Sequence, residues 1–315
     1  MRGEKGFALV IALVVTALLV GLLVEFVNEV YVDTSHSHNF VASQQASILA
    51  ESGVEGGMKL LQVSSAMRMG GNYSSLLEPW ASPQSFAAEN GSVTITIEEE
   101  TGKLNLTTAT PPNGVTSDNP YTQMALRLFN RLKISTEIAD ALLDWVDVNE
   151  TPQPGGAESN YYGSLKLPYA AKNRPLETVD ELALVKGFTP EVLTKLKPCV
   201  TMYGNSREDE TASDINVNTA TREMLAALDD KMSDDLVQRV IDYRKTRPIK
   251  GMADFNSIAG IDAVSPAFGD KITFMGTVYR IRAEGRVGES VAVAEAVVRT
   301  DGGIGKPAVL YWREY

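Results

Sequence analysis

The side chains with the most evident chemistry are Asp144, Asp147, Asn149, Glu150 and Glu158, set around the loop Pro154-Gly155-Gly156-Ala157. Carboxylate and amide oxygens on an irregular loop are what Ca2+ takes, roughly six to eight at a time. Without an ion, the same stretch is a solvated acidic loop in which Asp144 and Asp147 cap or turn the chain. The residues alone leave both readings open. A second acidic run, Glu208-Asp209-Glu210 with Asp214, reads as exposed linker.

Catalytic patterns are missing. There is no H-E-x-x-H, G-x-S-x-G, phosphate-binding P-loop or C-x-x-C. The only histidines, His36 and His38, stand two apart, so on a helix they face different directions and make a poor metal pair. They also lie far from the later strands, which excludes a Ser/His/Asp site there. Paired carboxylates can hydrolyse glycosides, but no pattern places a pair in a cleft. Cys199 is the lone cysteine, so no intramolecular disulfide forms, and it reads as a small buried hydrophobe. The chain reads as a structural protein, not an enzyme. Its net charge of −11 disfavours nucleic acid and anionic lipid as partners.

The elements that position the acidic loop begin with Ser135-Thr136-Glu137-Ile138, a capping-box-like start to a helix over 138–146. Two related helical units follow from the pattern. Arg174-Pro175-Leu176, Val179-Asp180-Glu181-Leu182 and Val185-Lys186-Gly187-Phe188 belong to the first. Helices over 222–228 and 236–243, then Arg247-Pro248-Ile249, Ala253-Asp254-Phe255 and Ile258-Ala259-Gly260-Ile261, belong to the second. Both share Arg-Pro-Leu/Ile, an acidic-apolar helix start and apolar-x-Gly-apolar.

Strand patterning flanks these units. Residues 92–98 alternate, Gly102-Lys103 lies in a turn, and Leu104-Asn105-Leu106 starts a second short strand. Alternation returns over 278–284, with a turn at 285–289, a β-branched run over 291–299 and a last strand over 307–315. Residues 64–91 read as a connecting loop. The pattern predicts an α+β fold: one antiparallel sheet interrupted by an all-α insertion, with an N-terminal helix on one face.

That helix opens with eighteen uncharged residues, Phe7 to Val24, after Met1-Arg2-Gly3-Glu4-Lys5-Gly6. At about 1.5 Å per residue they span roughly 27 Å, the thickness of a bilayer's hydrocarbon. The stretch is apolar on all sides and runs on without a break, unlike a secretory signal with its shorter apolar core. Beyond it, Ala42, Ala46, Ala50, Val54, Met58 and Leu61 form an apolar stripe, and Gly53, Gly56 and Gly57 predict close packing on a sheet.

Lys5-Gly6-Phe7 resembles the prepilin peptidase site of type IV pilins and type II secretion pseudopilins. The resemblance implies cleavage between Gly6 and Phe7, methylation of the Phe7 amine, and retention of the apolar stretch as an anchor. Most pilins carry glutamate at the fifth mature position, and here that position is Ile11. A subunit without this carboxylate cannot neutralise a neighbour's ammonium in apolar surroundings, so it need not be an interior repeat.

The segment Ile215-Asn216-Val217-Asn218-Thr219-Ala220 and its helices resemble the helix-hairpin-helix units of membrane-anchored DNA receptors. Those hairpins use Gly-apolar-Gly to bring backbone N–H groups to phosphate. Here the hairpin after Leu228 reads Asp229-Asp230-Lys231-Met232, and Gly187 and Gly260 lack the second glycine. The DNA-receptor reading therefore ranks second. A minor pilin of a type IV pilus is a further alternative.

Taken in order, Leu49-Ala50-Glu51-Ser52-Gly53, Gly102-Lys103-Leu104-Asn105-Leu106, Asp144-Trp145-Val146-Asp147, Pro154-Gly155-Gly156-Ala157-Glu158, Tyr161-Tyr162, Lys186-Gly187-Phe188-Thr189-Pro190 and 215–220 resemble general secretion pathway protein K. These are the large minor pseudopilins of type II secretion. Absence of the fifth-position glutamate is typical of that family. The resemblance implies a pilin fold carrying an α-helical insertion of two SAM-like or helix-hairpin-helix-like units. It divides the chain into a leader (1–6), a transmembrane helix (7–24), a stalk helix (25–63), a sheet domain (64–114 and 276–315) and the insertion (115–275, with units over about 115–203 and 214–275). It implies Ca2+ in the inserted domain and a single pass through the inner membrane of a Gram-negative bacterium, with the globular part in the periplasm. The implied partners are the I- and J-type minor pseudopilins, the pseudopilus, the prepilin peptidase and the inner-membrane secretion platform, with assembly starting at the pseudopilus tip.

Overall fold

The computed structural model describes residues 3–68, 70–112, 114, 119–204, 214–300 and 305–315, with side chains from Phe7 onward. The first unit's proposed start at 115 and the acidic run 208–210 lie outside these residues. Helix α1 runs Gly3–Met67. It contains an 18-residue window of mean hydropathy 3.1, none of it buried by the rest of the chain. The one polar side chain in that stretch, Thr16, donates its hydroxyl to the carbonyl of Ala12 at 2.7 Å. Further along, Ala46, Ala50, Val54, Met58 and Leu61 become a buried face, as their spacing predicts.

That face lies on an antiparallel five-stranded sheet of order β1-β2-β7-β8-β9. Its strands are β1 (Gln84–Ala88), β2 (Gly91–Glu99), β7 (Val278–Val287), β8 (Ser290–Arg299) and β9 (Ala308–Glu314). Ile95, Ile97, Tyr279, Ile281, Ala283, Ala294, Ala296 and Val298 meet α1 and Trp80 in one core. The helix approaches closely enough that a Cβ on Gly53 would lie 2.6 Å from Val93 Cγ2, and one on Gly57 2.6 Å from Ile281 Cγ2.

Between β2 and β7 the chain builds a helical body. In order it contains β3 (Leu104–Asn105), α2 (Leu106–Ala109), α3 (Pro120–Arg131), α4 (Glu137–Val146), α5 (Ser159–Gly163), α6 (Pro190–Leu196), β4 (Val200–Thr201), β5 (Ile215–Asn216), α7 (Arg222–Ala227), α8 (Asp234–Thr246), α9 (Met252–Asn256) and β6 (Ile272–Thr273). Parallel pairing of β3 with β4 ties the start of the first unit to its end, and β5 with β6 does the same for the second. Gly187 and Gly260 stand at matching places in the two units, with φ of +87° and +86°. Both are left-handed, a conformation that glycine adopts without strain.

Three sequence expectations are corrected. Residues 84–88, read as loop, form edge strand β1. Only Gln84 is partly buried there, so no alternation marks the strand. Leu104–Leu106 do not extend the sheet: Leu104 and Leu106 are buried in the helical core, which therefore begins before residue 115. Gly285 lies inside β7 beneath α1, and the turn falls at Gly288. The two units share one buried cluster, to which α3, α4, α6, α7 and α8 contribute.

Candidate functional site

The acidic loop is built on α4. Ile138, Ala141, Leu142, Trp145 and Val146 bury one side of this helix and fix its rotation. Asp140 and Asp144, one turn apart, then meet the loop that folds back over the helix. The N–H of Gly155 donates to Asp140 Oδ2 at 3.0 Å, and that of Gln153 to both Asp144 oxygens at 3.1 and 3.2 Å. A Cβ on Gly156 would fall onto the Asp144 carboxylate, so only glycine fits. Lys186 closes the loop from the other side, its ammonium donating to the carbonyls of Gly155 (3.2 Å) and Gly156 (2.8 Å).

The five predicted ligands divide. Asp144, Asp147 and Glu158 are buried. Asp147 Oδ2 and both Glu158 oxygens have no hydrogen-bond partner. Burial, reinforced by Asp144, Asp147 and Glu150, pushes Glu158 up to about 7. Burial raises Asp144 and Asp147 as well. Asn149 and Glu150 are engaged elsewhere. Asn149 donates its amide to Asp147 Oδ1 at 2.8 Å and accepts the N–H of Thr151 at 2.8 Å. Glu150 is exposed, and hydrogen bonds from Asn173 and Ser159 lower its pKa. Among the described residues, no three His, Cys, Asp or Glu side chains are gathered as a metal-ligand group. Buried carboxylate oxygens without donors are costly, and either a proton on Glu158 or a cation relieves them. The donor set, hard oxygens only, suits Ca2+. Sequence reasoning missed Asp140 and Lys186. The spacing of Asp140 and Asp144, four apart, was the signal for the first.

The hairpin of the second unit is sealed from within the chain. Arg127 on α3 donates from Nε to the carbonyl of Ala227 (2.9 Å) and from Nη2 to that of Leu228 (3.0 Å). Arg131 reaches the carbonyl of Met232 and pairs with Asp234 at 2.7 Å. The Arg127 guanidinium sits at the negative end of α7, where cations are favoured, and that of Arg131 lies at the start of α8 beside Asp234. Where a DNA-binding hairpin offers N–H groups to phosphate, this one offers carbonyls to arginines, with Asp229 and Asp230 outside. Cys199 is buried, its sulfur 3.3 Å from Thr221 Oγ1, and burial pushes the thiol up.

A long apolar-tipped helix laid on an antiparallel sheet, with a helical body inserted between two neighbouring strands, defines a pilin-like subunit. Two family models, both described as Type II secretion system (T2SS), protein K, match residues 102–205 and 215–274, together just over half of the chain. The chain belongs to the type II secretion system protein K family, a minor pseudopilin of that system. The two matched ranges enclose the two units closed by the β3–β4 and β5–β6 ladders.

The chain is similar to Type II secretion system protein K of Aeromonas hydrophila, 26% identical over 291 residues, spanning 84% of this chain and 85% of that one. It is 24% identical to the protein of the same description from Pectobacterium carotovorum subsp. carotovorum, over 69% of this chain and 67% of that one. Among solved structures, a chain of the GspK-GspI-GspJ complex from the enterotoxigenic Escherichia coli type 2 secretion system superimposes with a TM-score of 0.68. The match has 21% identity and covers 91% of this chain and 99% of that one. It establishes the shared α+β fold.

Proposed function

We propose that this chain caps the pseudopilus of a type II secretion system and starts its assembly with I- and J-type minor pseudopilins. The observation that carries this reading is α1. Its apolar segment is wholly uncovered, as a helix awaiting bilayer or neighbouring helices must be, and it bears Ile11 where packing beneath another subunit calls for a carboxylate. The fold shared with a chain of the GspK-GspI-GspJ complex supports the choice of partners. In this reading the prepilin peptidase cuts between Gly6 and Phe7, the new amine is methylated, and α1 holds the chain in the inner membrane. The globular part faces the periplasm, and the secretion platform drives the filament.

The test is reconstitution of the full chain with its I- and J-type partners in detergent with calcium present. A stable ternary complex is expected, and it is required for filaments to start in a reconstituted system. Filaments that start equally well without this chain would overturn the reading.

Ca2+ belongs to the same proposal, held by Asp147 and Glu158 with Asp144 behind them. Bound there, it neutralises carboxylates that otherwise repel one another and locks the 148–158 loop onto α4. Its role is structural.

A further inference from the structure

The chain crosses from sheet to helical body through residues 100–103 and returns through 274–277. One carboxylate stands between the two crossings. Glu99, the last residue of β2, is buried. Its Oε2 accepts the hydroxyl of Ser74 at 2.8 Å. Its Oε1 accepts Asn216 Nδ2 at 2.7 Å and the Thr219 hydroxyl at 3.2 Å. The returning crossing packs directly on it, since a Cβ on Gly276 would fall inside the carboxylate. The same partners bind one another. Ser74 Oγ accepts the N–H of Gly276 (2.6 Å) and Asn216 Nδ2 (2.9 Å), Ser74 N–H donates to Phe274, and Asn216 N–H donates to Thr101. The segment after α1, both crossings and the second helical unit thus converge on Glu99.

Among the described residues, no cation pairs with it. Lys103 and Arg280, from the outgoing crossing and β7, are committed to Glu100, each at 2.9 Å. Glu78, before the 3-10 turn at Pro79–Ala81, adds negative charge and is itself paired with Arg68 at 3.2 Å. Tyr279 on β7 presents a neutral phenol whose hydroxyl donates to the Gly276 carbonyl. The donors alone offset the desolvation of the anion. Burial pushes Glu99 up to about 7, against the lowering effect of Asn216, Ser74 and Thr219.

The network can also hold a proton without rebuilding. Both lone pairs of Ser74 Oγ are taken, so its hydroxyl donates to Oε2 in either state. Thr219 is free to turn. It donates to Oε1 of the ionised acid, or accepts a proton from Oε1 while donating to the carbonyl of Asn216, 3.5 Å away.

We propose that Glu99 is a proton-operated latch between sheet and helical body, closing the junction when neutral and loosening it when ionised. Opening admits water and returns the carboxyl to its ordinary range near 4.5. The closed junction therefore binds the proton more tightly. Its stability is full below that value and falls as pH rises, until the closed form is itself ionised above about 7. The latch is independent of where the subunit sits in a filament.

The experiment is hydrogen–deuterium exchange on the full chain in detergent micelles from pH 4.5 to 8.5, corrected for intrinsic exchange. In peptides covering 99–103 and 274–278, protection is expected to fall about tenfold per pH unit between 5 and 7, relative to β8. In Glu99→Gln this excess dependence disappears. Equal pH dependence in the wild type and that variant would overturn the latch. Thr219→Val tests it without touching the acid. The ionised form loses a charge-assisted bond and the neutral form a weaker one, so the window moves to higher pH, and an unmoved window would refute the assignment even where Glu99→Gln does not fold.

Discussion

The guanidinium of Arg280 and the carboxylate of Glu100 meet at 2.9 Å, with no part of the Glu100 side chain exposed. Arg280 also pairs with Glu295 on β8 at 2.5 Å, and Lys103 joins Glu100 from the outgoing crossing. Neighbouring glutamates of one segment thus have opposite fates. Glu99 faces neutral donors and is pushed up. For Glu100, Lys103 and Arg280 overcome the penalty of burial and hold it down to about 2.

Replacing Glu100 by Ala leaves Arg280 with Glu295 and Lys103 with Glu98 as their remaining partners. A loss of about 1.5–3 kcal/mol is expected for the charge-assisted bonds removed, read as a lowered denaturation midpoint. Because the folded-state pKa is depressed, this contribution is present above the ordinary carboxylate value near 4.5 and is lost as pH falls through about 2. An acid-unfolding curve for Glu100→Gln should lack that limb.

Gly57→Ala gains about 1 kcal/mol of helix propensity and forces a methyl against Ile281, which costs about 1–3 kcal/mol. Net destabilisation of the sheet domain is expected by thermal denaturation. The same change at Gly21, where a Cβ meets nothing, should be tolerated.

Asp147→Ala combined with Glu158→Ala should lower the melting temperature in calcium but not in chelator, where near neutral pH the loss of the buried, unpartnered carboxylates raises it. An equal drop in both would reject a metal role. Without metal, Glu158 is raised to about 7, so its contribution is present below about 4.5 and lost as pH rises through neutrality. Calcium-free protein should accordingly weaken between pH 5 and 8, and calcium should restore the difference.

Arg127→Ala uncovers two carbonyls at the end of α7 and should cost about 1–3 kcal/mol. Lysine should rescue only part, since it lacks the planar fork that serves both oxygens. A low-salt gel shift should show no DNA binding by the wild type. A tight, salt-sensitive shift would reinstate a nucleic-acid reading.

The sequence disclosed whatever is written as periodicity. The stalk stripe from Ala46 to Leu61 and the alternation of β2 and β7 follow from one-sided burial. The apolar run of α1, uncovered by the rest of the chain, is legible from its length and composition alone. It could not disclose partnerships. Leu104-Asn105 reads as a strand and is one, but which strand it pairs with depends on residues almost a hundred positions away. β1 stayed hidden because its side chains are nearly all exposed. In the acidic loop, composition picked out Asp144, Asp147 and Glu158. It could not tell them from Asn149, whose oxygen is taken by a local turn, or from Glu150, whose oxygens are held by Ser159 and Asn173. Glu99 drew no notice, since nothing in Ile97-Glu98-Glu99-Glu100 distinguishes the acid that meets cations from the one that does not.

β2 and β7 are hydrogen-bonded neighbours running in opposite directions, so the sheet treats residues 100–277 as a hairpin loop. The entropy of closing a loop grows only with the logarithm of its length, about 0.6 kcal/mol per doubling. A connection that folds by itself escapes even that. The ladders that bring each unit's ends together make the insertion a cassette, added at one turn of a small sheet without altering the register of any strand. The size and charge of the body can therefore change while the long helix and the sheet keep their geometry.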